Sequence, residues 1–315
     1  MQQSDIDIRD ALFDRIYDLG EQDRDVIILT DDMDAFSLRR FRQDFPNQYV
    51  NIGVAEQNMI NVAAGLATCG KKVFAYGIAS YVTMRCFEQI KVNLCSMNLP
   101  VTIIGVGPGF SFEFDGPTHH GTTDISLMRT LPEMAIYNPS DSALASACVD
   151  LAYESDGPTY LRLDKGKFPA MTGDENDFSK GFRVLRPLRD LNIISSGYMT
   201  MQALTVAAAL DERGVDVGIV DLYRLKPIDE SFISSVLGQS KGLVAIEENS
   251  IIGGVGTILA ELLADSHLHA RLKRIGVQDK QFLKYGSREW LQGINGLDVP
   301  SIINVVSKMA AEIPS

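Results

Sequence analysis

Short apolar runs alternate with longer amphipathic segments along the first half of the chain. Runs such as Val26 to Leu29 and Tyr49 to Ile52 are too short for helices and predict buried strands. Further strands are predicted at residues 72–76, 101–105, 134–137 and 159–163, and helices at residues 8–19, 57–69, 81–95 and 142–153. Buried strands that alternate with helices predict a parallel sheet with helices on both faces.

A polar segment without clear periodicity separates this series from a second one. Residues 171–182 are predicted to be a domain linker. Beyond it, strands are predicted at residues 192–195, 216–222 and 243–247, and helices at residues 201–213 and after Gly253-Gly254. The predicted fold class is therefore α/β, with two domains at residues 1–170 and 183–315. Each is expected to be a mostly parallel sheet covered by helices, and 315 residues suit two domains of about 100–200 residues.

The composition narrows the classes of function. Hydrophobic residues make up 45% of the chain, which is ordinary for a globular protein. The formal net charge of −12 argues against binding to a nucleic-acid backbone, which requires clustered lysine and arginine. No apolar run approaches the roughly 18 residues of a membrane span, and the first residues lack the basic and apolar regions of a signal peptide.

The cysteines give an expectation about the compartment. The four cysteines are scattered along the chain, and no CxxC pair occurs among them. Cysteines spaced in this way in a chain of this size are expected to be buried and reduced. Together with the lack of a signal peptide, this predicts a cytoplasmic protein.

Glu56 is the first residue with candidate chemistry. It lies between a predicted strand, Tyr49 to Ile52, and a predicted helix, Gln57 to Cys69. Ligands of α/β sheets bind at the carboxyl ends of the strands, which is where this position places a carboxylate. The alternative is an acidic residue that stabilises the first turn of the helix through the helix dipole.

A loop in the first half carries Asp115 and two adjacent histidines, His119 and His120. Histidine transfers protons near neutral pH, and loops on a rigid scaffold carry such groups. The alternative is a turn in which these side chains satisfy backbone groups. A metal site is disfavoured because adjacent histidines cannot easily bind one ion and no nearby cysteine completes a ligand set. The other two histidines, His267 and His269, are predicted to face solvent from a polar helical stretch.

Two glycine-rich segments do not fit nucleotide-binding motifs. Gly105-Val-Gly107-Pro-Gly109 follows a strand, but Pro108 and the aromatic residues after it do not open a helix. Gly253-Gly254-Val-Gly256 opens a helix but lacks the Lys-Ser/Thr pair of a phosphate-binding loop. The second segment instead predicts tight packing between a helix and a strand.

Five motifs occur in order along nearly the whole chain. They are Asn51-Ile-Gly-Val-Ala-Glu56-Gln57-Asn58-Met59, Arg85-Cys-Phe87-Glu88-Gln89-Ile, Asp115-Gly-Pro-Thr-His119, Asp221-Leu-Tyr-Arg-Leu-Lys226-Pro227-Ile-Asp229, and Glu247-Glu248-Asn249 through Gly256. The series resembles the thiamine-diphosphate-dependent transketolase family, which includes 1-deoxyxylulose-5-phosphate synthase. The resemblance implies a thiamine pyrimidine-binding domain followed by a transketolase C-terminal domain.

The resemblance also implies a cofactor site. In the family, the glutamate that matches Glu56 contacts the thiamine ring, and an aromatic residue stacks on its pyrimidine. Tyr81 matches the stacking residue of split-gene transketolases, whereas Val82 matches that of full-length enzymes, and Arg85 lies in the helix that follows. Glu56 would hold a proton beside the ring nitrogen, while the cofactor would act as the electron sink.

Substrate-binding residues follow from the same resemblance. Asp115 and His119 would bind hydroxyl groups of the donor sugar, and His119 would also transfer protons. Lys165 aligns with an arginine that binds the substrate phosphate in the family, but lysine lacks the bidentate fork of arginine. The expected substrate therefore carries either a phosphate or a different acidic tail. His120 replaces a more common glutamine, so an effect on substrate choice is expected.

One family motif does not occur in the chain. The family binds Mg²⁺ and the diphosphate through a Gly-Asp-Gly motif in a separate N-terminal domain, and this sequence contains no Gly-Asp-Gly. The resemblance therefore implies one half of a split enzyme, with the metal ligands on a partner subunit and none on this chain. Because active sites of the family lie at dimer interfaces, an assembly with two of each chain is expected.

The leading hypothesis is the C-terminal subunit of a split transketolase. Such an enzyme moves a two-carbon glycolaldehyde unit from a ketose to an aldose and binds sugars or sugar phosphates. The alternative is a subunit of a 1-deoxyxylulose-5-phosphate-synthase-like or other thiamine-dependent enzyme that decarboxylates a 2-oxo acid. The β subunit of a 2-oxo acid dehydrogenase fits the motifs poorly. A non-catalytic homologue is disfavoured because Glu56, Asp115 and His119 occur together.

Overall fold

The computed structural model describes residues 6–171 and 177–313. Residues 172–176 of the predicted linker therefore lie outside the described residues, as do residues 1–5 and 314–315 of the predicted domains. The described residues form a seven-stranded and a five-stranded sheet with helices around them. This arrangement confirms the predicted α/β fold class.

Twelve strands form the two sheets within the described residues. They are β1 (Val26–Thr30), β2 (Tyr49–Asn51), β3 (Lys72–Ile78), β4 (Val101–Val106), β5 (Ala135–Tyr137), β6 (Thr159–Leu163), β7 (Phe182–Arg186), β8 (Leu191–Ser195), β9 (Gly218–Leu222), β10 (Arg224–Lys226), β11 (Gly242–Ser250) and β12 (Arg271–Val277). The first sheet has the order β10-β5-β6-β4-β3-β1-β2, and the second has the order β12-β11-β8-β9-β7. All neighbouring pairs are parallel except β10 with β5 and β7 with β9.

The central strands are buried on both faces, as their sequences predict. Every residue of β1, β4 and β6 is buried, and the same holds for β8 and β9 in the second sheet. Helices cover both faces of a parallel sheet, so its strands consist of nearly continuous apolar runs. This explains why short apolar runs identified the central strands correctly.

Helices of both halves cover the sheets. The α-helices are α1 (Ile8–Gln22), α2 (Phe36–Asp44), α3 (Glu56–Thr68), α4 (Phe87–Gln89), α5 (Asp124–Arg129), α6 (Ser142–Tyr153), α7 (Tyr198–Asp211), α8 (Glu230–Gln239), α9 (Val255–Asp265), α10 (Arg288–Asn295) and α11 (Val299–Glu312). The helix predicted at residues 81–95 is divided, because π-helical turns at Tyr81–Arg85 and Ile90–Cys95 flank α4. None of the helices in the described part of the chain is long and apolar enough to cross a bilayer.

Two expectations about single residues are wrong. His267 and His269 are exposed as predicted, but they lie in a bend and loop after α9 rather than in a helix. The helix ends at Asp265 because Ser266 is already extended. Cys69 is exposed, whereas Cys86, Cys95 and Cys148 are buried as expected, and all four cysteines are free. Cys69 is the C-cap of α3, just beyond its last buried turn.

A buried arginine network links the two halves of the chain. Arg183 of β7 donates to Asp141 at 3.0 Å and to Asp221 of β9 at 2.9 Å. The side chains of these three residues are at most 4% exposed. A buried charge is tolerated when it is paired and hydrogen-bonded, so this network fixes how β7 and β9 meet the first half.

The Gly253–Gly256 segment shows the predicted tight packing. Glu247 of β11 accepts hydrogen bonds from the backbone N–H groups of Val255 at 2.8 Å and Gly256 at 2.9 Å. A Cβ atom on Gly254 would lie 1.7 Å from Oε2 of Glu247. The first turn of α9 is therefore satisfied by a side chain of the adjacent strand, and only glycine fits between them.

Gly254→Ala should destabilise the fold. The added Cβ would force Glu247 away from the helix amides, and overpacking of this kind costs about 1–3 kcal/mol. Thermal unfolding of the purified chain should show a lower Tm. Gly293→Ala is the matched control, because Gly293 is an exposed helical glycine where an added Cβ would meet no atom within 4 Å. An equal Tm for the two variants would contradict the packing argument.

Candidate functional site

Polar side chains converge at one edge of the first sheet. The carboxyl ends of its parallel strands meet there, at the usual ligand-binding edge of an α/β sheet. The residues at this edge are Asp31 after β1, Glu56 after β2, Tyr81 after β3, the loop at residues 107–121 after β4, and Lys165 after β6. The topology therefore brings together groups that are far apart in the sequence.

Glu56 begins α3 and is buried. Its residue exposure is 2%, and its Oε1 accepts a hydrogen bond from Nη1 of Arg85 at 2.6 Å. Gln57 in turn holds the backbone of Arg85, because its Nε2 donates a hydrogen bond to the Arg85 carbonyl at 3.1 Å. The carboxylate is thus paired with a cation whose own side chain is 42% exposed.

Asp31 is a second buried carboxylate, and the sequence interpretation gave it no role. It is 5% exposed, and its Oδ1 has no hydrogen-bond partner within the described residues. Burial, with a contribution from the charge of Glu56, raises the pKa of Asp31 to about 7. A Cβ on Gly77 would lie 2.3 Å from Oδ2 of Asp31, so this carboxyl group fills the space beside β3. The only sequence signal was its place directly after a buried strand.

Tyr81 and Arg85 lie beside this carboxylate pair. The guanidinium carbon of Arg85 is 4.1 Å from the centroid of the Tyr81 ring. The Tyr81 hydroxyl lies 3.2 Å from Nε2 of His119, which joins the first π-helical turn to the loop after β4. Val82 is fully buried in the hydrophobic core, and a Cβ on Gly77 would meet its Cγ1 at 2.5 Å, on the side where it would also meet Asp31. Tyr81 therefore offers a half-buried ring at this edge, whereas Val82 lies in the core near Asp31.

The three candidate residues of the loop after β4 differ in how far they are buried. Asp115 is exposed in a 3₁₀ turn, and half-buried His119 is 3.0 Å from the hydroxyl of Thr118. His120 is buried with its ring edge-to-face against Phe110. Burial lowers the pKa of His120, which favours its neutral form at neutral pH.

His120 and Lys165 line different cavities. Lys165 borders one of about 330 Å³, lined also by Ser111, Glu113, Tyr198 and Arg288. His120 borders one of about 220 Å³ on the segment at residues 277–282. The structure therefore does not bring His120 together with Lys165.

Lys165 has a second cation nearby that sequence analysis missed. Burial is the main cause that lowers the pKa of Lys165, and the nearby positive charge of Arg9 lowers it further. Arg9 pairs with Asp7 at 3.2 Å, and Oδ2 of Asp7 accepts a hydrogen bond from the backbone of Gly166 at 3.0 Å. The start of α1 is therefore tied to the Lys165 turn, although nothing in the helical pattern of residues 8–19 marked Arg9.

No metal centre is apparent in the described ranges. Within residues 6–171 and 177–313, no three His, Cys, Asp or Glu side chains come together in a way that could hold an ion. Of the two carboxylates buried at the sheet edge, Glu56 is paired with Arg85, and Oδ1 of Asp31 has no hydrogen-bond partner within the described residues. Glu56 and Tyr81 thus place a buried carboxylate and an aromatic ring on either side of Arg85.

Comparisons with known proteins identify the family. The profile of the transketolase pyrimidine-binding domain matches residues 4–171, and that of the transketolase C-terminal domain matches residues 181–302. The chain is 32% identical over 304 residues to the 6-deoxy-6-sulfo-D-fructose transketolase subunit SqwH of Clostridium sp. (strain MSTE9), covering 96% of this chain and 94% of that one. It is 31% identical over 281 residues to an apulose-4-phosphate transketolase subunit of Actinobacillus succinogenes, covering 89% and 90% of the two chains.

A solved structure agrees over the full length. A split gene transketolase, described as an inactive beta4 tetramer, superposes with a TM-score of 0.86 at 32% sequence identity. The superposition covers 99% of this chain and 100% of that one. The chain belongs to the transketolase family and contains its pyrimidine-binding and C-terminal domains.

Proposed function

We propose that this chain is the pyrimidine-binding subunit of a two-chain transketolase that moves a two-carbon ketol unit from a ketose to an aldose. The observation that carries the proposal is the cluster of Glu56, Arg85, Tyr81 and His119 at the carboxyl edge of the first sheet. The family depends on thiamine diphosphate. Relatives of nearly the same length are named as transketolase subunits, which supports a second chain.

The residues present fit the pyrimidine end of thiamine diphosphate. Arg85 binds Oε1 of Glu56, which leaves Oε2 to hold a proton against a ring nitrogen. Tyr81 offers a half-buried aromatic ring next to that carboxylate, suited to stacking. When bound, the cofactor supplies an electron sink for the carbon–carbon bond that breaks. Glu56 and Tyr81 hold and orient it, and Arg85 keeps Glu56 in place.

The loop and the Lys165 turn would bind the sugar. Exposed Asp115 would accept hydrogen bonds from donor hydroxyls, and His119 would bind a hydroxyl and transfer a proton near neutral pH. Lys165, with Arg9 behind it, would bind an anionic tail. The names of the two relatives refer to a sulfonated and a phosphorylated sugar, which supports this assignment. A role of His120 in substrate choice and a stacking role for Val82 stay predictions from sequence.

The diphosphate and its Mg²⁺ would be held by the partner subunit. The sequence contains no Gly-Asp-Gly motif, and the described residues hold no cluster suited to a metal ion. The similar solved structure is a tetramer of one chain type and is described as inactive, which supports a need for the other chain. We propose two copies of each chain, located in the cytoplasm.

Glu56→Gln should abolish most of the activity of the reconstituted enzyme. Glutamine cannot take part in proton transfer with the ring nitrogen, and loss of such a group costs about 10²- to 10⁴-fold in kcat. Ketol transfer from ketose to aldose is measured by coupled product detection, with evolved CO₂ measured in parallel. Glu154→Gln, an exposed residue after α6, is the matched control. CO₂ release from a 2-oxo acid by the wild-type complex, without ketol transfer, would reject the proposed reaction.

Lys165→Met should weaken binding of anionic sugars. Loss of a hydrogen bond to a charged group costs about 1.5–3 kcal/mol, so KM should rise about 10- to 100-fold while kcat changes less. Steady-state kinetics with phosphorylated and uncharged acceptors measures the difference. Lys273→Met, an exposed lysine on β12, is the control. An equal rise in KM for uncharged acceptors would reject an anion-binding role.

Asp31→Asn should stabilise the chain at high pH. The pKa of Asp31 rises from 3.8 to about 7 on folding, so wild-type stability falls as pH rises through this range. Asparagine does not ionise, so the free energy of unfolding of the variant should exceed that of wild type only slightly near pH 4. The difference should reach ~1–4 kcal/mol above pH 7. Urea unfolding across this range measures it, with exposed Asp156→Asn as control. A pH-independent difference would contradict the buried-carboxyl account.

A further inference from the structure

A buried arginine of the second half joins both halves beside the substrate loop. Arg288 opens α10, and its side chain is 11% exposed. Its guanidinium donates to the two oxygens of Asp164 at 3.1 and 2.7 Å, and to Oε2 of Glu248 at 2.7 Å. Tyr198 covers it, with the ring centroid 3.6 Å from the guanidinium carbon. The fork of arginine thus bridges β11 and the turn after β6.

Both carboxylates also hold the loop that follows β4. Oε2 of Glu248 accepts a hydrogen bond from the backbone of Phe110 at 3.0 Å. Oδ1 of Asp164 accepts from the hydroxyl of Ser111 at 2.9 Å and from the backbone of Lys165 at 2.8 Å. The cluster therefore fixes the start of the loop and the proposed anion-binding lysine at once.

Arg288 also binds the loop through its own backbone. Its N–H donates to Oε2 of Glu113 at 2.6 Å, two residues before Asp115. At the other end of this stretch, a Cβ on Gly109 would lie 2.0 Å from Oε2 of Glu248. Because the loop lies directly against Glu248, any shift of that side chain shifts the loop as well.

We propose that Arg288 is a positioning residue that fixes Asp115, His119 and Lys165 for the sugar. The proposal rests on the proposed function for the roles of those three residues. Without the arginine fork, the carboxylates of Asp164 and Glu248 would be two buried negative charges without a shared partner. The loop would then no longer be held in one position. The second half of the chain would thereby act on a site formed by the first.

Arg288→Lys tests the proposal in the reconstituted two-chain enzyme. Lysine keeps the charge but cannot bridge two carboxylates bidentately. Misplacement of substrate groups by about 1 Å costs on the order of 100-fold, so kcat/KM should fall by about that factor. The affinity for thiamine diphosphate should change much less, because Glu56 and Arg85 bind each other and only Tyr81 touches the loop, at His119.

Arg183→Lys is the matched control for loss of a buried arginine. Arg183 also binds two buried aspartates and is 4% exposed, but it does not contact the loop. Both variants should lower Tm, and only Arg288→Lys should lower kcat/KM. Glu113→Ala changes a half-buried loop residue and should cause a smaller loss in the same direction. Equal kinetic losses in the two arginine variants would assign Arg288 a purely structural role.

Hydrogen exchange on the full chain separates this proposal from the proposed function. The backbone amides of Phe110, His119 and His120 are hydrogen-bonded, and they should exchange faster in Arg288→Lys than in Arg183→Lys. Unchanged exchange at these amides would overturn the positioning role. A wild-type complex that binds no cofactor and transfers no ketol unit would instead contradict the proposed function, whatever the exchange result.

Discussion

Parallel pairing of the central strands is the constraint on which the site depends. Since β1, β2, β3, β4 and β6 run in one direction, their carboxyl ends meet at one edge, and the residues after each strand become neighbours. Glu56, Tyr81 and His119 come from three different connections and still form one cluster. The covering helices bury both faces of the sheet, so polar groups of this sheet gather at its edge.

Buried ion pairs fix how the two halves of the chain pack against each other. Arg183 pairs with Asp141 and Asp221, and Arg288 pairs with Asp164 and Glu248. Burying such pairs adds little net stability, but breaking one leaves an uncompensated charge at high cost. They therefore hold the two halves in one geometry, and removal of either arginine is costly. β10 strengthens the link, because this strand of the second half pairs antiparallel with β5 of the first sheet.

The sequence was most informative where one local pattern decides the structure. The apolar runs identified the buried strands, and the order of motifs identified the family and the place of Glu56. The edge strands β7, β10 and β12 were not predicted, because they are short or partly exposed and lack a continuous apolar run. The domain boundaries at 1–170 and 183–315 stay predictions.

Site residues defined by distant contacts could not be found in this way. Arg9 pairs with its neighbour Asp7, and only the fold ties Asp7 to Gly166 of the Lys165 turn. Arg288 binds Asp164, which lies 124 positions away in the sequence. Asp31 gains its raised pKa from burial and from Glu56, which only the folded sheet brings near. Val82 and Tyr81 are adjacent in sequence, and only the folded π-helical turn shows that Tyr81 is half-buried and Val82 fully buried.

Calorimetric titration of thiamine diphosphate with Mg²⁺ distinguishes a partial cofactor site on this chain from a complete one. The chain is titrated alone and together with its partner subunit. We expect tight binding only in the mixture, because this chain would supply the pyrimidine site and the partner would supply the diphosphate and metal site. Tight, Mg²⁺-dependent binding by this chain alone would contradict it.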